Sequence, residues 1–182
     1  QEARAYVCSG IYKKVIVVAA EKMSSMVNYS DRNTCPLFGD GAAAVLVEPT
    51  EDLSTGIMDG VFHVDGWGRD HLLMPAGGSV KPTTTETVEA GENYLFQDGK
   101  AVYKHAVTNM LTSSLDVMKR NNLSADDVDY LIPHQANLRI IEAVAQRANF
   151  PMDKVLVNIE HTGNTSAASI PLCLDEYKNK LK

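Results

Sequence analysis

The run "KKVIVVAAEK" at residues 13–22 is apolar and β-branched over the length of one strand, and it narrows the possible folds more than any other stretch. β-Branched side chains are stiff at χ1 and suit a pleated surface. The run does not alternate with polar residues, so it predicts a strand covered on both faces. A second such run lies in "FGDGAAAVLVEPT" (38–50), punctuated by glycine at its start and stopped by Pro49. The polar connection between them carries Arg32. Residues 51–66 predict a turn and a third strand within "GIMDGVFHVDG". The following stretch, 66–99, is rich in Gly, Thr and Glu and predicts a mobile surface excursion.

From Lys100 the period changes. Val102, Ala106, Val107, Met110, Leu111, Leu115 and Met118 recur at helical spacing and predict a long amphipathic helix. "LSADDVDY" predicts a short helical turn capped by Ser124. "DYLIPHQAN" reads as a strand running into a polar loop, and 137–148 as a helix through Leu138, Ile141, Val144 and Ala145. The chain closes with a strand, a Gly-Asn loop and a helix. The order β, β, β, α, β, α, β, α is that of an α/β protein with helices on its sheet faces.

At 182 residues, 45% hydrophobic and 22% charged, the chain can bury one large domain or two small ones. A net charge of −6 provides no cationic field for nucleic acid or anionic lipid. No apolar stretch approaches the roughly 18 residues of a membrane span. Three cysteines, few and odd in number, point to a reducing compartment and hence the cytoplasm. The opening "QEARAYVCSG" has no initiator Met and no signal-peptide layout. Ala3, Tyr6 and Val7 sit at helical spacing and Ser9-Gly10 stop the helix, so the chain is expected to start in mid-element. His63, His71, His105, His134 and His161 fall into no HExxH spacing, and the cysteines make no CxxC, so no metal site is expected.

Two polar loops follow predicted strand ends, "IPHQANLR" (132–139) and "EHTGNTSAAS" (160–169). Ligands of α/β sheets collect at the carboxyl ends of strands. Pro133 pins the exit to His134, and Gly163 permits a tight turn before Asn164. A histidine and an asparagine amide converging on one point form a donor pair able to stabilise an oxyanion or enolate. A helix-capping histidine and a turn asparagine are the commoner reading of the same residues.

"DRNTCPLFGDGAAAVLVE", "IPHQANLRIIEAV" and "GNTSAASIPLCLDEY" resemble the signature segments of β-ketoacyl-acyl-carrier-protein synthase III, a family of the thiolase superfamily. With the stretch around "SGIYKKVIVVAAE", the resemblance spans nearly the whole chain. It implies a thiolase-like layered αβαβα fold, of which residues 1–50 are the tail of the first half and 51–182 the second half. It implies an acyltransferase that starts bacterial type II fatty-acid synthesis: an acyl group passes from coenzyme A to a cysteine and condenses with malonyl-acyl-carrier protein after decarboxylation. Carried over residue by residue, His134 and Asn164 match the catalytic pair, and Arg32 a residue that meets the coenzyme A nucleotide. Asn137 matches a residue beside the pantetheine arm, and Arg139 a basic residue that docks the carrier protein. Each of these basic residues reads, without the family, as a solvated surface charge. No cofactor is implied beyond the coenzyme A thioester and carrier-protein phosphopantetheine of the substrates. The family works as a homodimer, and 13–27 is expected near the dimer interface.

Cys8 invites a nucleophile's role and is not expected to fill it. A nucleophilic cysteine gains thiolate character at a helix N-terminus. Cys8 sits at a helix end, with no room for a new helix before the strand. By the resemblance the family's nucleophile stands at the start of this helix, about fifteen residues before Ser9 and so outside the chain. Cys35 is expected to have no catalytic role, and Cys173 to be a small buried hydrophobe. The absence of a second catalytic cysteine argues against a thiolase, and one His with one Asn against an elongating synthase. A quinolone or polyketide starter synthase of the same architecture, or a non-catalytic subunit that binds carrier protein, are the alternatives; the presence of both His134 and Asn164 argues against the subunit.

Overall fold

The structure is a computed structural model and describes residues 1–181. In chain order its elements are α1 (Glu2–Cys8), β1 (Val15–Glu21), β2 (Gly41–Val47), β3 (Leu72–Leu73), α2 (Thr85–Glu89), β4 (Phe96–Gln97), α3 (Gly99–Arg120), α4 (Leu138–Arg147), α5 (Ile159–Thr162) and α6 (Ser169–Tyr177). The two apolar runs become β1 and β2, an antiparallel pair in unbroken register from Val15 opposite Val47 to Glu21 opposite Gly41. Their connection is tied back at its end: Ser24 donates its hydroxyl and its backbone N–H to the Asp40 carboxylate at 2.6 and 2.7 Å. Those bonds hold the Asp40 carboxyl below its usual range. On the covered side, α6 lies so close over β2 that a Cβ at Gly41 would stand 2.9 Å from the Leu172 side chain. The other side departs from the expected double coverage. Ile16 and Val18, which point to that side, are exposed, because no further layer of the described residues packs on them.

Helix α1 stops as its residues predict, with Ser9 as cap and Gly10 at φ 74°. That positive φ carries the chain out of the helix at no steric cost for glycine. The strand expected within 51–66 does not form. Ile57, Met58, Phe62 and Val64 are exposed there, and no strand of the described residues runs beside them to complete a ladder. The turn before it does form, with Thr55 N–H donating to the Asp52 carbonyl at 3.3 Å. The 66–99 excursion is exposed over much of its length yet structured. It holds a 3-10 turn at Gly66–His71, the short β3–β4 pair and α2, which Thr84 and Thr87 cap reciprocally. Leu95 N–H donates to the Met26 carbonyl at 2.8 Å and moors it to the β1–β2 connection.

The second half is organised by α4. Asp98 caps α3 by accepting from the Lys100 and Ala101 N–H groups, both at 3.1 Å. Along α4, Ile140 and Val144 face Val107 of α3, while Ile141 and Ala145 pack with Phe150 and Val155 on the opposite side. Both pairs are four residues apart, so the helix presents two adjacent apolar stripes and is gripped between layers. The strands expected around 131 and 155 shrink to one parallel bridge. Leu131 N–H donates to Lys154 O and Leu156 N–H to Leu131 O, each at 3.0 Å. Pro133 curtails the ladder on one side, since the chain turns there into the loop. Among the described residues no helix is long and apolar enough to cross a membrane.

Ile141 is fully buried at the junction of these layers. Ile141→Ala is expected to lower the unfolding free energy by about 2–5 kcal/mol, as deletion of a core branched side chain does. Urea denaturation checks this as a lower midpoint with an unchanged slope.

Candidate active site

His134 owes its position to the Leu131–Val155 bridge and to its neighbour Gln135. Gln135 is completely buried. Its amide donates to the carbonyls of Pro133 at 2.9 Å and Leu156 at 3.3 Å, and its Oε1 accepts the Asn158 N–H at 3.0 Å. The two segments that leave the Leu131–Val155 bridge are thereby stapled together by one side chain. Asn158 continues the network to Glu176 on α6 at 3.1 Å, and His161 meets the same carboxylate oxygen at 3.0 Å. His134 itself is partly buried, and its Nδ1 lies 2.6 Å from Oγ of Ser169 at the start of α6. Burial pushes the imidazole below its ordinary value of 6.5, so the ring is neutral at pH 7.

Asn164 arrives from the other loop. Its N–H donates to Leu37 O at 2.8 Å and its carbonyl accepts the Gly39 N–H at 3.0 Å, a parallel bridge centred on Phe38. The contact requires small residues: a Cβ at Gly39 would overlap the Thr162 carbonyl oxygen, and Gly163 turns at φ 66°. Asn164 Oδ1 accepts the Ser166 N–H at 2.9 Å. Ser166 adopts φ 51°, uncommon for a residue with a Cβ, and that twist turns its N–H back toward the asparagine. With Oδ1 occupied, the amide's NH₂ is the donor left for a ligand.

His134 and Asn164 line one cleft of about 1290 Å³, together with Phe38, Ile140 and Lys100. Asn137 and Arg139 line it too. Asn137 serves as the N-cap of α4, its Oδ1 accepting the Arg139 N–H at 2.9 Å. Arg139 is exposed in the first turn of that helix. Arg32 is exposed and does not line the cleft, though its neighbours Asp31 and Asn33 do. No cysteine of the described residues lines it. Cys8 is exposed at the last position of α1, away from the cleft. Burial, with the Glu176 charge second, pushes the Cys173 thiol up to about 11. Such a thiol is inert near neutrality.

Gln135, Asn158, Ser166 and Ser169 are the site residues that sequence reasoning missed. A glutamine between His134 and Ala136 in a loop that must pass from sheet to helix was the available signal for the first. Nothing in the sequence marks Ser169, since its partner is 35 positions away.

Residues 1–66 match the family described as 3-oxoacyl-[acyl-carrier-protein (ACP)] synthase III, and residues 118–182 its C-terminal domain. A β-ketoacyl-[acyl-carrier-protein] synthase III of Porphyromonas gingivalis is 55% identical over 177 residues, 97% of this chain and 52% of that protein. The crystal structure of the Thermus thermophilus synthase III superposes with a TM-score of 0.85 at 36% identity, covering 98% of this chain and 54% of that one. The priming β-ketosynthase of the R1128 polyketide pathway gives 0.77 at 34% identity, over 96% and 51%. The chain thus spans about half the length of the relatives it matches. The fold is the thiolase-like α/β class. Within that class, the chain belongs to the 3-oxoacyl-[acyl-carrier-protein] synthase III family.

Gly39→Ala is expected to lower the unfolding free energy by about 1–3 kcal/mol through overpacking against Thr162. Gly68→Ala, with nothing within 4 Å of its added Cβ, serves as the control. Denaturation midpoints of the two variants check the contrast.

Proposed function

We propose that this chain supplies the enolate-stabilising part of a β-ketoacyl-acyl-carrier-protein synthase III active site. Residues 1–50 close the first thiolase-like half of that enzyme and 51–182 form the second. The observation that carries the reading is the convergence of His134 and Asn164 on one cleft from two separate loops, each with one polar atom already bonded. An acyl group is carried from coenzyme A on a cysteine supplied outside this chain. The malonyl thioester then loses CO₂, and the electron pair of the broken C–C bond moves into an enolate. The enolate oxygen accepts hydrogen bonds from His134 and from the Asn164 amide. Its carbon attacks the acyl-cysteine carbonyl, and the thiolate leaves. Donors fixed in advance need no reorganisation as the charge develops, unlike water.

The remaining residues take supporting roles. Asn137 spends its oxygen on the helix cap, so its amide N–H groups are what it offers a pantetheine carbonyl. Arg139, with Lys100 along the same cleft, presents positive charge to an acidic carrier protein. Arg32, exposed beside the mouth residues Asp31 and Asn33, reaches the nucleotide phosphates of coenzyme A. The exposed apolar pair Ile16 and Val18 on the uncovered face of β1 suits an interface within a homodimer. The enzyme acts in the cytoplasm and draws on no cofactor beyond its thioester substrates. A polyketide-priming role is the second reading, favoured by the likeness to the R1128 priming synthase.

In the assembled enzyme, His134→Ala or Asn164→Ala is expected to reduce malonyl decarboxylation by about 10²–10³-fold, the loss of one oxyanion donor. A radiolabelled CO₂-release assay checks it, and unchanged release from both variants overturns the reading. The pH dependence has a definite sign. Because burial lowers the imidazole below 6.5, the neutral donor persists down to that value and is lost only at lower pH. Decarboxylation rate against pH is expected to stay flat on the His134 account above 6.5 and to fall on the acid side.

A further inference from the structure

The Ser169 hydroxyl raises a question of hydrogen accounting. Ser169 is 2% exposed, and among the described residues its one side-chain partner is Nδ1 of His134 at 2.6 Å. A serine hydroxyl has a single hydrogen to donate and two lone pairs. A helical serine often returns that hydrogen to the carbonyl four residues back, here Thr165. That carbonyl instead accepts the Ala168 N–H at 3.1 Å, and the Ser169 hydroxyl does not reach it. Solvent is shut out, so Nδ1 is the acceptor within reach. If Nδ1 carried its own hydrogen, the hydroxyl would have to accept it and leave its O–H buried and unpaired, which folded proteins avoid.

We infer that Ser169 is a positioning residue whose hydroxyl donates to Nδ1 of His134 and fixes the imidazole as the Nε2–H tautomer. The hydrogen then sits on the nitrogen that has no protein partner among the described residues, on a side chain that lines the cleft. Ser169 also begins α6, five residues beyond Asn164, so one short segment carries one donor and orients the other. The inference rests on the proposed role of His134 for its consequence but not for its test.

The test is a long-range ¹H–¹⁵N correlation spectrum of the chain labelled at its five histidines, with His134→Ala identifying the resonance of interest. The wild type is expected to show Nδ1 bare and Nε2 protonated at neutral pH. Ser169→Ala is expected to release the ring into a mixture of tautomers, and Ser169→Thr, which keeps the hydroxyl, to restore the single form. A protonated Nδ1 in the wild type overturns the inference even if the alanine variant fails to fold, and so does an unchanged tautomer in a folded Ser169→Ala. In the assembled enzyme, Ser169→Ala is expected to lower kcat for malonyl decarboxylation about tenfold or more with KM unchanged, below the 10²–10³ ceiling for losing a whole donor. The two ideas fail separately. Decarboxylation indifferent to both His134→Ala and Asn164→Ala defeats the functional reading and leaves the tautomer result standing.

Discussion

The site depends first on the backbone contact between Leu37–Gly39 and Gly163–Asn164. Two hydrogen bonds of 2.8 and 3.0 Å join the segment leading into β2 to the loop before α6, and they form because both Gly39 and Gly163 lack a Cβ. Everything near Asn164 follows from that approach. The bridge aims the asparagine into the cleft, seats α6 over β2, and brings Ser169 beneath His134. An extra methyl at Gly39 would set the Thr162 carbonyl against it, and backbone cannot yield as a side chain can.

The opposite wall is built from polar groups that satisfy one another. Gln135 spends its whole amide on three backbone partners, which makes a completely buried glutamine tolerable. Its effect is to hold the Pro133 turn against the Leu156–Asn158 segment, and so to hold His134. The same burial that costs the imidazolium its hydration keeps the ring neutral, the form in which it can serve as a fixed dipole. Stability and chemistry draw here on a single desolvation.

Helical period was the most legible level of the sequence. The apolar spacing from Val102 to Met118 became α3, Leu138 to Ala145 became α4, and Ser124 caps its short turn with Asp127 reciprocating. Strands were less legible, for a physical reason. An apolar run states that it will be covered but does not name its partner, so without a neighbouring strand Ile57, Met58, Phe62 and Val64 form no strand and stay exposed, while β1 and β2 pair. His134 and Asn164 could be singled out because loop position and side-chain type both point to ligand binding. Ser169 and Asn158 could not, because their importance lies in partners distant in sequence and in hydrogen bonds that a pattern does not carry.

The two bridges that frame the cleft close very different lengths of chain. Leu131 and Val155 are 24 residues apart, with α4 folded between them, whereas Phe38 and Asn164 are 126 apart. Closing the longer loop costs about 1.5 kcal/mol more chain entropy, by the logarithmic dependence on length. Contacts of high sequence separation are also the slow ones to form. The wall that bears His134 is therefore closed within a short stretch of chain, and the wall that bears Asn164 by a contact that spans most of it. Without that long-range closure His134 stands in the cleft wall without Asn164, so the two are brought together only in the complete fold.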